Sequence, residues 1–538
     1  MSSSDSGAVA PNAKRLLWAG FMAILAAGVG YSVRGGILGQ WANEFGFTMT
    51  ELGKITGGGL TGFGVVIILS SLIADRIGYG KLMISAFILH LISAGLTLAT
   101  PAAFASGGKD AAFQCLFWGM FLFAIGNGLC EAVVNPLTAT LFPKNKTHYL
   151  NILHAGWPAG LVLGSVSSAL MAAKTNDAGE VVAQAIDWKI QMSLFLIPVV
   201  AYGLMLLGQK FPKSEAAEAG VSTGEMISTL FAPLMLVLLV IHAMVGYVEL
   251  GTDSWISKIT GSIMASPTKG LMLFSYTSLL MFVLRFFAGP IVHRISPLGL
   301  LFASGVLGAT GLTLLGSADT VALCIIAATV YALGKTFLWP TMLAVASEQF
   351  PKGGAVAIGM LGGVGMLSAG LLGGPAIGFK QDYNASANLK TESSETYDRY
   401  KAVKEVDGQL VEDTSSFMGF TTVGLDGAKV GVLEDGGKEL DRVSELLASQ
   451  KEENKQHEAL AAWWGTAKAT AETDGPLVKQ AGLFGGKQAL KLTAYVPATM
   501  AVCYLLLILF FRARGGYKVV DVSASHAEEV AAQGPNEA

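Results

Sequence analysis

The sequence predicts an all-α membrane protein with twelve transmembrane helices arranged in two similar six-helix halves. Three observations support this prediction: the composition, the number of long apolar runs and a repeat that relates the two halves. The 538-residue chain has a mean hydropathy of +0.53 and only 14% charged residues, whereas an ordinary soluble domain has about 25%. This deficit of charge indicates that lipid surrounds much of the chain.

Long apolar runs give the number of crossings. A hydrocarbon core about 30 Å thick requires about 20 mostly apolar residues per helix. Twelve runs meet this requirement, at 16–38, 52–73, 82–104, 113–141, 149–172, 190–209, 230–256, 270–291, 298–316, 320–349, 355–378 and 492–511. The fourth, seventh and tenth exceed the minimum, so we expect them to tilt or to extend beyond the lipid.

The spacing of these runs divides the chain into five parts. The expected parts are an N-terminal half (1–209), a linker (210–228), helices seven to eleven (229–378), a polar insertion (379–491) and helix twelve with its tail (492–538). The insertion is either a small folded cap or a mobile loop. Its stretch 434–470 has a composition typical of helices.

Basic residues in the short loops predict the orientation. They concentrate on the side of the membrane that holds both chain ends, at positions such as Arg76, Lys144 and Lys210. By the positive-inside rule both termini are expected in the cytoplasm of a plasma membrane, and the insertion outside.

Several classes of protein are disfavoured. The net charge of -3 provides no basic field for nucleic acid. The four cysteines lie in apolar runs without the spacing of a metal site. Because no nucleotide-binding loop or nucleophile motif is present, we expect no enzyme activity, no cofactor and no metal.

The fourth and tenth runs show that the halves repeat. Gly126 precedes Phe142-Pro143 by sixteen residues, and Gly334 precedes Phe350-Pro351 by the same sixteen. This register places Lys335 at the position of Asn127. Duplicated bundles hold substrate near the midplane, between the halves, and rock one half against the other.

Short motifs resemble those of a known family. Asp75-Arg76 with Gly78 and Lys81 resembles the major facilitator signature, and His293-Arg294 resembles a degraded second copy. The run from Glu131 to Asn135-Pro136 and the stretch ELGTDSW (249–255) resemble the fucose permease group. The resemblance covers 14–378 and 490–518. It implies the major facilitator fold and a monomeric sugar:proton symporter.

One motif points to another substrate class. Tyr31-Ser-Val-Arg34 resembles the Y-x-x-R of facilitators that carry sugar phosphates or organic anions, and it lies where a fucose permease would have an acidic residue. The resemblance therefore also allows an organic anion as substrate.

Helix four carries the candidate proton site. Asn127, Glu131 and Asn135 are four residues apart and share one helical face. Desolvation in an apolar cavity favours the protonated form of a carboxyl group, which could therefore bind a proton and release it to water. Glu131 is the expected proton-coupling residue. The alternative is a structural hydrogen-bond network.

Further polar residues inside the apolar runs are candidates for substrate binding, because such residues are costly in lipid and usually face the bundle interior. Trp339 could instead pack in the core, and Lys335 could pair with Glu131. The candidates are Asn127, Asn135, His154, Trp157, His242, Lys335 and Trp339.

Charged residues near the helix ends are candidate gates. Arg34 could pair with Glu249 or Asp253 as an outer gate, form a permanent ion pair with them, or bind an anionic substrate. The candidate inner gate comprises Asp75, Arg76, Lys81, Arg285 and Arg294.

Together these features predict a secondary active transporter that works by alternating access. The expected substrate is a small polar solute, in the first place a sugar carried with a proton. The alternatives are a carrier of an organic anion or sugar phosphate and, in another class, a non-transporting nutrient sensor.

Overall fold

The computed structural model describes residues 10–47, 49–56, 59–172, 174–175, 181–183, 185–406, 409–450 and 454–521. The part of the predicted tail beyond residue 521 and the first nine residues lie outside this description. Within it, long helices dominate, and the short strands form antiparallel pairs.

Twelve crossings can be traced through the described residues. Ten helices there are long and apolar enough to cross a membrane. One of them, Tyr79–Leu141, contains two crossings because Gly108 breaks it with φ 67° and ψ -159°. The fifth crossing, divided at Ala155, supplies the twelfth.

The first half contains membrane helices one to six. Their bounds are Ala13–Phe45, Met49–Thr56 with Gly59–Ile77, the two parts of Tyr79–Leu141, Lys146–His154 with Gly156–Met171, and Trp188–Ser193 with Leu196–Leu206. A strand pair, Lys174–Thr175 with Val181–Ala183, lies between helices five and six.

The second half contains helices seven to twelve. Their bounds are Pro233–Gly246 with Thr252–Ile263, Pro267–Arg285, Ala288–Leu315, Val321–Lys335 with Leu338–Gln349, Gly354–Ser368 with Gly374–Glu392, and Tyr495–Ala513. Helices seven and eleven each contain a π-helical turn, Tyr247–Gly251 and Ala369–Gly373. Short helices Glu215–Glu218 and Thr223–Ser228 form the linker.

The repeat seen in the sequence has a structural counterpart. Helix four ends at Phe142 with φ -131° and ψ 60°, and helix ten ends at Phe350 with φ -126° and ψ 56°. Each phenylalanine is followed by a 3-10 turn that begins with proline, which cannot donate the next helical hydrogen bond. The same residues therefore end both helices in the same way.

The two halves pack against each other most extensively along two helix pairs. Helix two packs against helix eleven, and helix five packs against helix eight. The first pair approaches closely because small residues face each other: a Cβ on Gly64 would lie 2.9 Å from the carbonyl oxygen of Gly363. Small residues allow such backbone contact in membrane bundles.

The first and last described residues, Ala10 and Asp521, lie on one side of the bundle, which we call the terminal side. The opposite side, which carries the insertion, is the insertion side. Helix eleven continues to Glu392 and helix Ala471–Thr493 leads into helix twelve, and these two extensions pack together. Between them the described chain forms helices Ser394–Tyr400, Gly427–Asp435, Lys438–Gln450 and Lys455–Ala467, and the strand pairs Val403–Val406 with Gln409–Glu412 and Thr414–Phe417 with Phe420–Val423.

The insertion has a core of its own. One apolar cluster is built on Leu389 and Tyr400, and a second on Val432 and Trp464. Beside the first, Asp474 is 1% exposed. Its carboxylate accepts hydrogen bonds from the Arg399 guanidinium and from the hydroxyls of Thr396 and Thr470. Of the two alternatives for this segment, the described part is a folded cap.

We expect Asp474→Ala to loosen this cap. The substitution removes the acceptor of several hydrogen bonds, so the insertion should lose roughly 1–3 kcal/mol of local stability. Asp398→Ala is the matched control, because Asp398 pairs with Lys401 at a side-chain exposure of 58%, and such a pair contributes about 0–1 kcal/mol. Limited proteolysis of the purified full chain measures the difference. Equal cleavage rates in the two variants would contradict it.

Candidate functional site

Two neighbouring cavities lie inside the bundle. The smaller, of about 30 Å³, lies between the halves and is lined by Glu131, His154, Glu249, Arg285 and Trp339, among others. The larger, of about 290 Å³, is lined by helices one, two, four and five and extends toward the insertion side. Both cavities share Asn127 and Trp157 in their walls. The two cavities therefore adjoin at these residues.

Glu131 begins a chain of hydrogen bonds in the first half. Its side chain is 8% exposed. Asn135 Nδ2 donates to Glu131 Oε2 over 2.6 Å, and His154 Nε2 donates to Asn135 Oδ1 over 2.8 Å. Among the described residues Glu131 has no ion-pair partner. The structure thus joins three of the predicted site residues and leaves their carboxyl group without a direct countercharge.

Arg285 connects the two halves at the centre. Its Nη2 donates to Glu249 Oε1 over 2.9 Å, and its Nε donates to the Thr336 carbonyl over 2.8 Å. Its Nη1 donates to the carbonyl of His154, on helix five of the other half, over 2.6 Å. These three acceptors hold the guanidinium in the wall of the central cavity, and the predicted role of Arg285 as an inner gate stays a prediction.

A second buried ion pair lies close to the first. Lys335 Nζ bonds to Asp253 Oδ1, and its ammonium lies 5.3 Å from the centre of the Tyr331 ring. The alternative in which Lys335 pairs with Glu131 is therefore wrong. Helix seven carries both Glu249 and Asp253, so one helix neutralises cations from helices eight and ten.

Arg34 lies apart from these pairs. Its side chain is 1% exposed. Its Nη2 donates to Ser93 Oγ over 2.9 Å, and its guanidinium carbon lies 4.0 Å from the Phe123 ring centre. Within the described chain Arg34 has no carboxylate partner. The predicted pair with Glu249 or Asp253 is absent, because those two carboxylates already bind Arg285 and Lys335.

Asn127, the third predicted site residue of helix four, accepts a hydrogen bond from helix three. His90 Nε2 donates to Asn127 Oδ1 over 3.0 Å, and Tyr202 Oη lies 2.9 Å from His90 Nδ1. Since one ring nitrogen donates to the amide oxygen, the other accepts from the tyrosine. Asn127, held by His90, lines both cavities.

The aromatic candidates form two groups. Trp157 lines both cavities and lies 5.8 Å from the Tyr31 ring. Trp339 lines the central cavity and packs 4.7 Å from His242. His242 is fully buried, and neither of its ring nitrogens bonds to a described residue. It lies behind Trp339 and does not line either cavity.

Hydrogen bonds close the interface at the terminal side. Thr147 Oγ1 donates to Glu348 Oε1 over 3.1 Å, linking helix five to helix ten. Lys146 Nζ pairs with Glu215 of the linker over 2.7 Å. Tyr517 Oη, on the chain after helix twelve, donates to Glu348 Oε2 over 2.6 Å. Glu348 thus holds both halves and the C-terminal segment together.

The predicted inner-gate residues contribute little to this closure. Asp75 Oδ2 lies 3.5 Å from where a Cβ on Gly354 would be, so it faces the other half. Arg76, Lys81 and Arg294 are exposed and form no ion pair with a described residue. The role of these three residues in an inner gate therefore stays a prediction. Glu348 is not among the predicted site residues, although its place two residues before Phe350-Pro351 marks a helix end.

No group of three His, Cys, Asp or Glu side chains in the described ranges could hold a metal ion.

Comparison with known families decides the class of this bundle. The family model described as Major Facilitator Superfamily matches residues 20–374. The chain belongs to the Major Facilitator Superfamily. Accordingly it is an integral membrane transporter and not an enzyme. A search of curated proteins gave no match.

Several solved structures share the fold of this major facilitator. The E. coli fucose:proton symporter FucP superposes with a TM-score of 0.54 at 17% identity, over 68% of this chain and 92% of that one. The proton:xylose symporter XylE gives 0.52 at 14%, over 67% and 87%. The human organic anion transporter MFSD10 gives 0.52 at 14%, over 68% and 93%. At these identities the likeness concerns the fold.

We expect Glu348→Ala to open the terminal side. The loss of two hydrogen bonds to a buried carboxylate removes roughly 1–3 kcal/mol from the closed state, and each 1.4 kcal/mol is about tenfold in population. Nitroxide labels at Lys81→Cys and Arg294→Cys, on opposite halves, report the opening as a longer distance in electron double resonance. Glu218→Ala, at an exposed linker carboxylate, is the control. Identical distance distributions in both variants would refute this role of Glu348.

Proposed function

We propose that this chain moves a small polar solute, in the first place a sugar, across the membrane together with a proton. The observation that carries the proposal is Glu131: a buried carboxyl group in the wall of the central cavity, bonded to Asn135 and without an ion-pair partner among the described residues. An ionised carboxylate in such surroundings is costly unless it is paired. Binding a proton removes that cost.

In the proposed transport cycle, Glu131 binds a proton before the two halves move and releases it afterwards. Water reaching the cavity from the insertion side would supply the proton, and Glu131 would become neutral before the halves rock. The loaded carrier would then break the bonds of Glu348 and Lys146 at the terminal side. Release of solute and proton there would return Glu131 to its ionised form. Arg285 contacts both halves, so its bond to the His154 carbonyl is the contact that this motion must change.

The walls of the larger cavity suit a sugar. Trp157 and Tyr31 offer aromatic faces for the apolar side of a sugar ring, and the amide of Asn127 offers hydrogen bonds to hydroxyls. The volume of about 290 Å³ is close to the lower end of the range for small-molecule sites, about 300–1,000 Å³. The sugar:proton symporters FucP and XylE have the same fold.

The orientation is part of the proposal. We propose, from the basic residues in the short loops, that both termini lie in the cytoplasm and the insertion lies outside. With that orientation the described conformation has its cavity directed outward and its cytoplasmic side closed. We propose a plasma membrane location and a monomer.

The first test is proton uptake driven by solute in proteoliposomes. We expect a neutral sugar to alkalinise the medium with wild type, and Glu131→Gln to abolish this signal while solute exchange continues, because Gln mimics the neutral carboxyl group. Glu434→Gln, at an exposed site in the insertion, should behave as wild type. Unchanged proton uptake in Glu131→Gln would remove Glu131 from the coupling mechanism.

A second candidate, transport of an organic anion, is favoured by the environment of Arg34. Six charged side chains line or border the cavities: Arg34, Arg285, Lys335, Glu131, Glu249 and Asp253. They balance when all are ionised. Once Glu131 is protonated, one positive charge remains, and a monoanionic substrate would neutralise it. The fold of MFSD10, an organic anion transporter, is similar.

The presence or absence of a transport current distinguishes sugar transport from anion transport. A proton carried with a neutral sugar moves one positive charge, whereas a proton carried with a monoanion moves none. We expect a neutral sugar to give a positive current into proteoliposomes on a solid-supported membrane, and Glu131→Gln to lose it. Electroneutral proton uptake with monocarboxylates and no response to sugars would establish the anion candidate. Loss of that uptake in Arg34→Gln but not in Arg34→Lys would then place the anion at the positive charge of position 34.

A further inference from the structure

The second strand pair of the insertion, Thr414–Phe417 with Phe420–Val423, ends in an exposed apolar tip. We call this pair the apolar hairpin. At its turn Met418 is 81% exposed and Phe420 is 65% exposed. Large apolar side chains at the tip of a short hairpin expose surface that a water-facing loop would normally avoid. The tip therefore offers an apolar surface to a partner.

The apolar hairpin points toward the membrane. At its base, Gly424 lies beside Asp382 of helix eleven, with 3.5 Å from a Cβ on Gly424 to the aspartate Cβ. At its tip, the Phe417 ring lies 6.0 Å from the ring of Phe379. Phe379 is about one helical turn nearer the apolar part of helix eleven than Asp382. The tip thus contacts helix eleven about 4.5 Å nearer the apolar part of the helix than the base does.

The surface on which the tip rests continues the lipid-facing surface of helix eleven. Leu372, Pro375, Phe379 and Tyr383 recur at helical spacing, and Leu372 and Tyr383 are exposed. Leu372 lies within the apolar part of the helix, about 10 Å from Phe379 at 1.5 Å per residue. The stripe therefore runs from the hydrocarbon region up to the tip of the apolar hairpin.

An interfacial aromatic residue lies at the same height. Trp255, on helix seven, donates from Nε1 to the Gly374 carbonyl over 2.8 Å, and its ring lies 3.0 Å from a Cβ on Gly378. Tryptophan is enriched where a bilayer meets water, because its ring is apolar and its N–H is polar. Trp255 and Phe379 thus mark the edge of the hydrocarbon region beside the hairpin tip.

The charge pattern distinguishes the two hairpins. Residues 414–423 (TSSFMGFTTV) contain no charged side chain, although the insertion around them is rich in charge. The first hairpin, 403–412 (VKEVDGQLVE), carries four charged residues. A segment that enters lipid must lack charge, whereas a hairpin in water has no such constraint. The first hairpin is thus an internal control for the second.

We propose that the tip of the apolar hairpin, Phe417–Phe420, inserts into the interfacial region of the bilayer beside helix eleven. Met418 and Phe420 contact acyl chains, and Phe417 joins the tip to the lipid-facing stripe through Phe379. This anchor fixes the cap to the membrane at the edge of the second half. The cap then moves with that half when the halves rock, and it leaves the cavity of the first half uncovered.

Spin labels test this insertion directly. The full chain, with Cys115, Cys130, Cys324 and Cys503 replaced, is labelled at Met418→Cys and, in a second variant, at Leu410→Cys. Leu410 lies on the first hairpin and is 74% exposed. It therefore matches Met418 in exposure, but charged residues surround it in the sequence. Power saturation in liposomes compares collisions with oxygen, which dissolves in lipid, and with a water-soluble nickel chelate.

We expect the label at position 418 to collide with oxygen and to be several-fold less accessible to the nickel chelate than the label at position 410. Nickel accessibility equal to that of position 410 would overturn the proposal, because the tip would then be in water. Low accessibility to both reagents would also overturn it, because a protein surface would then cover the tip. In a second measurement on the full chain in liposomes, Met418→Asp with Phe420→Asp should speed proteolysis of the cap, whereas Leu410→Asp on the first hairpin should leave the rate unchanged. Equal rates in the two variants would overturn the proposal.

Discussion

The three-way bond of Arg285 is the interaction on which the arrangement of the site depends. A guanidinium at this depth requires partners for each of its donor groups, because lipid and packed side chains offer none. Glu249 supplies the charge, and the carbonyls of Thr336 and His154 satisfy the remaining geometry. Since one of these acceptors belongs to the other half, the joint between the halves is also part of the cavity wall. Any movement of one half against the other must alter it.

The ion pairs around Arg285 distinguish the proposed role of Glu131 from those of Glu249 and Asp253. Helix seven provides Glu249 and Asp253 to the cations Arg285 and Lys335, so these four side chains neutralise each other in pairs. Glu131 remains on the opposite wall with only an amide as its direct partner. Of the three carboxyl groups Glu131, Glu249 and Asp253, it is the one whose protonation breaks no ion pair. That difference in surroundings, more than the residue type, makes Glu131 the proton site of the proposed mechanism.

Much of the fold could be predicted from the sequence, and less of the site. Apolar runs and the Gly126 and Gly334 repeat predicted twelve crossings in two halves, because lipid imposes length and composition on each helix separately. The face shared by Glu131 and Asn135 followed from helical periodicity, and the structure adds His154 to it. The pairing of Arg34 was predicted wrongly. Several helices carry charges of similar depth, and depth alone does not determine which of them face each other.

The sequence by itself determined that the chain lies in a membrane, how many times it crosses, that its halves repeat and which charged residues are candidates for burial. Each of these follows from local composition or from residue spacing. Only the tertiary structure decided the partners: Arg285 with both halves, Lys335 with Asp253, and Glu348 with Thr147 and the C-terminal segment. The physical reason is that a buried charge takes the nearest complementary group, and nearness between helices is set by packing that small residues such as Gly64 permit.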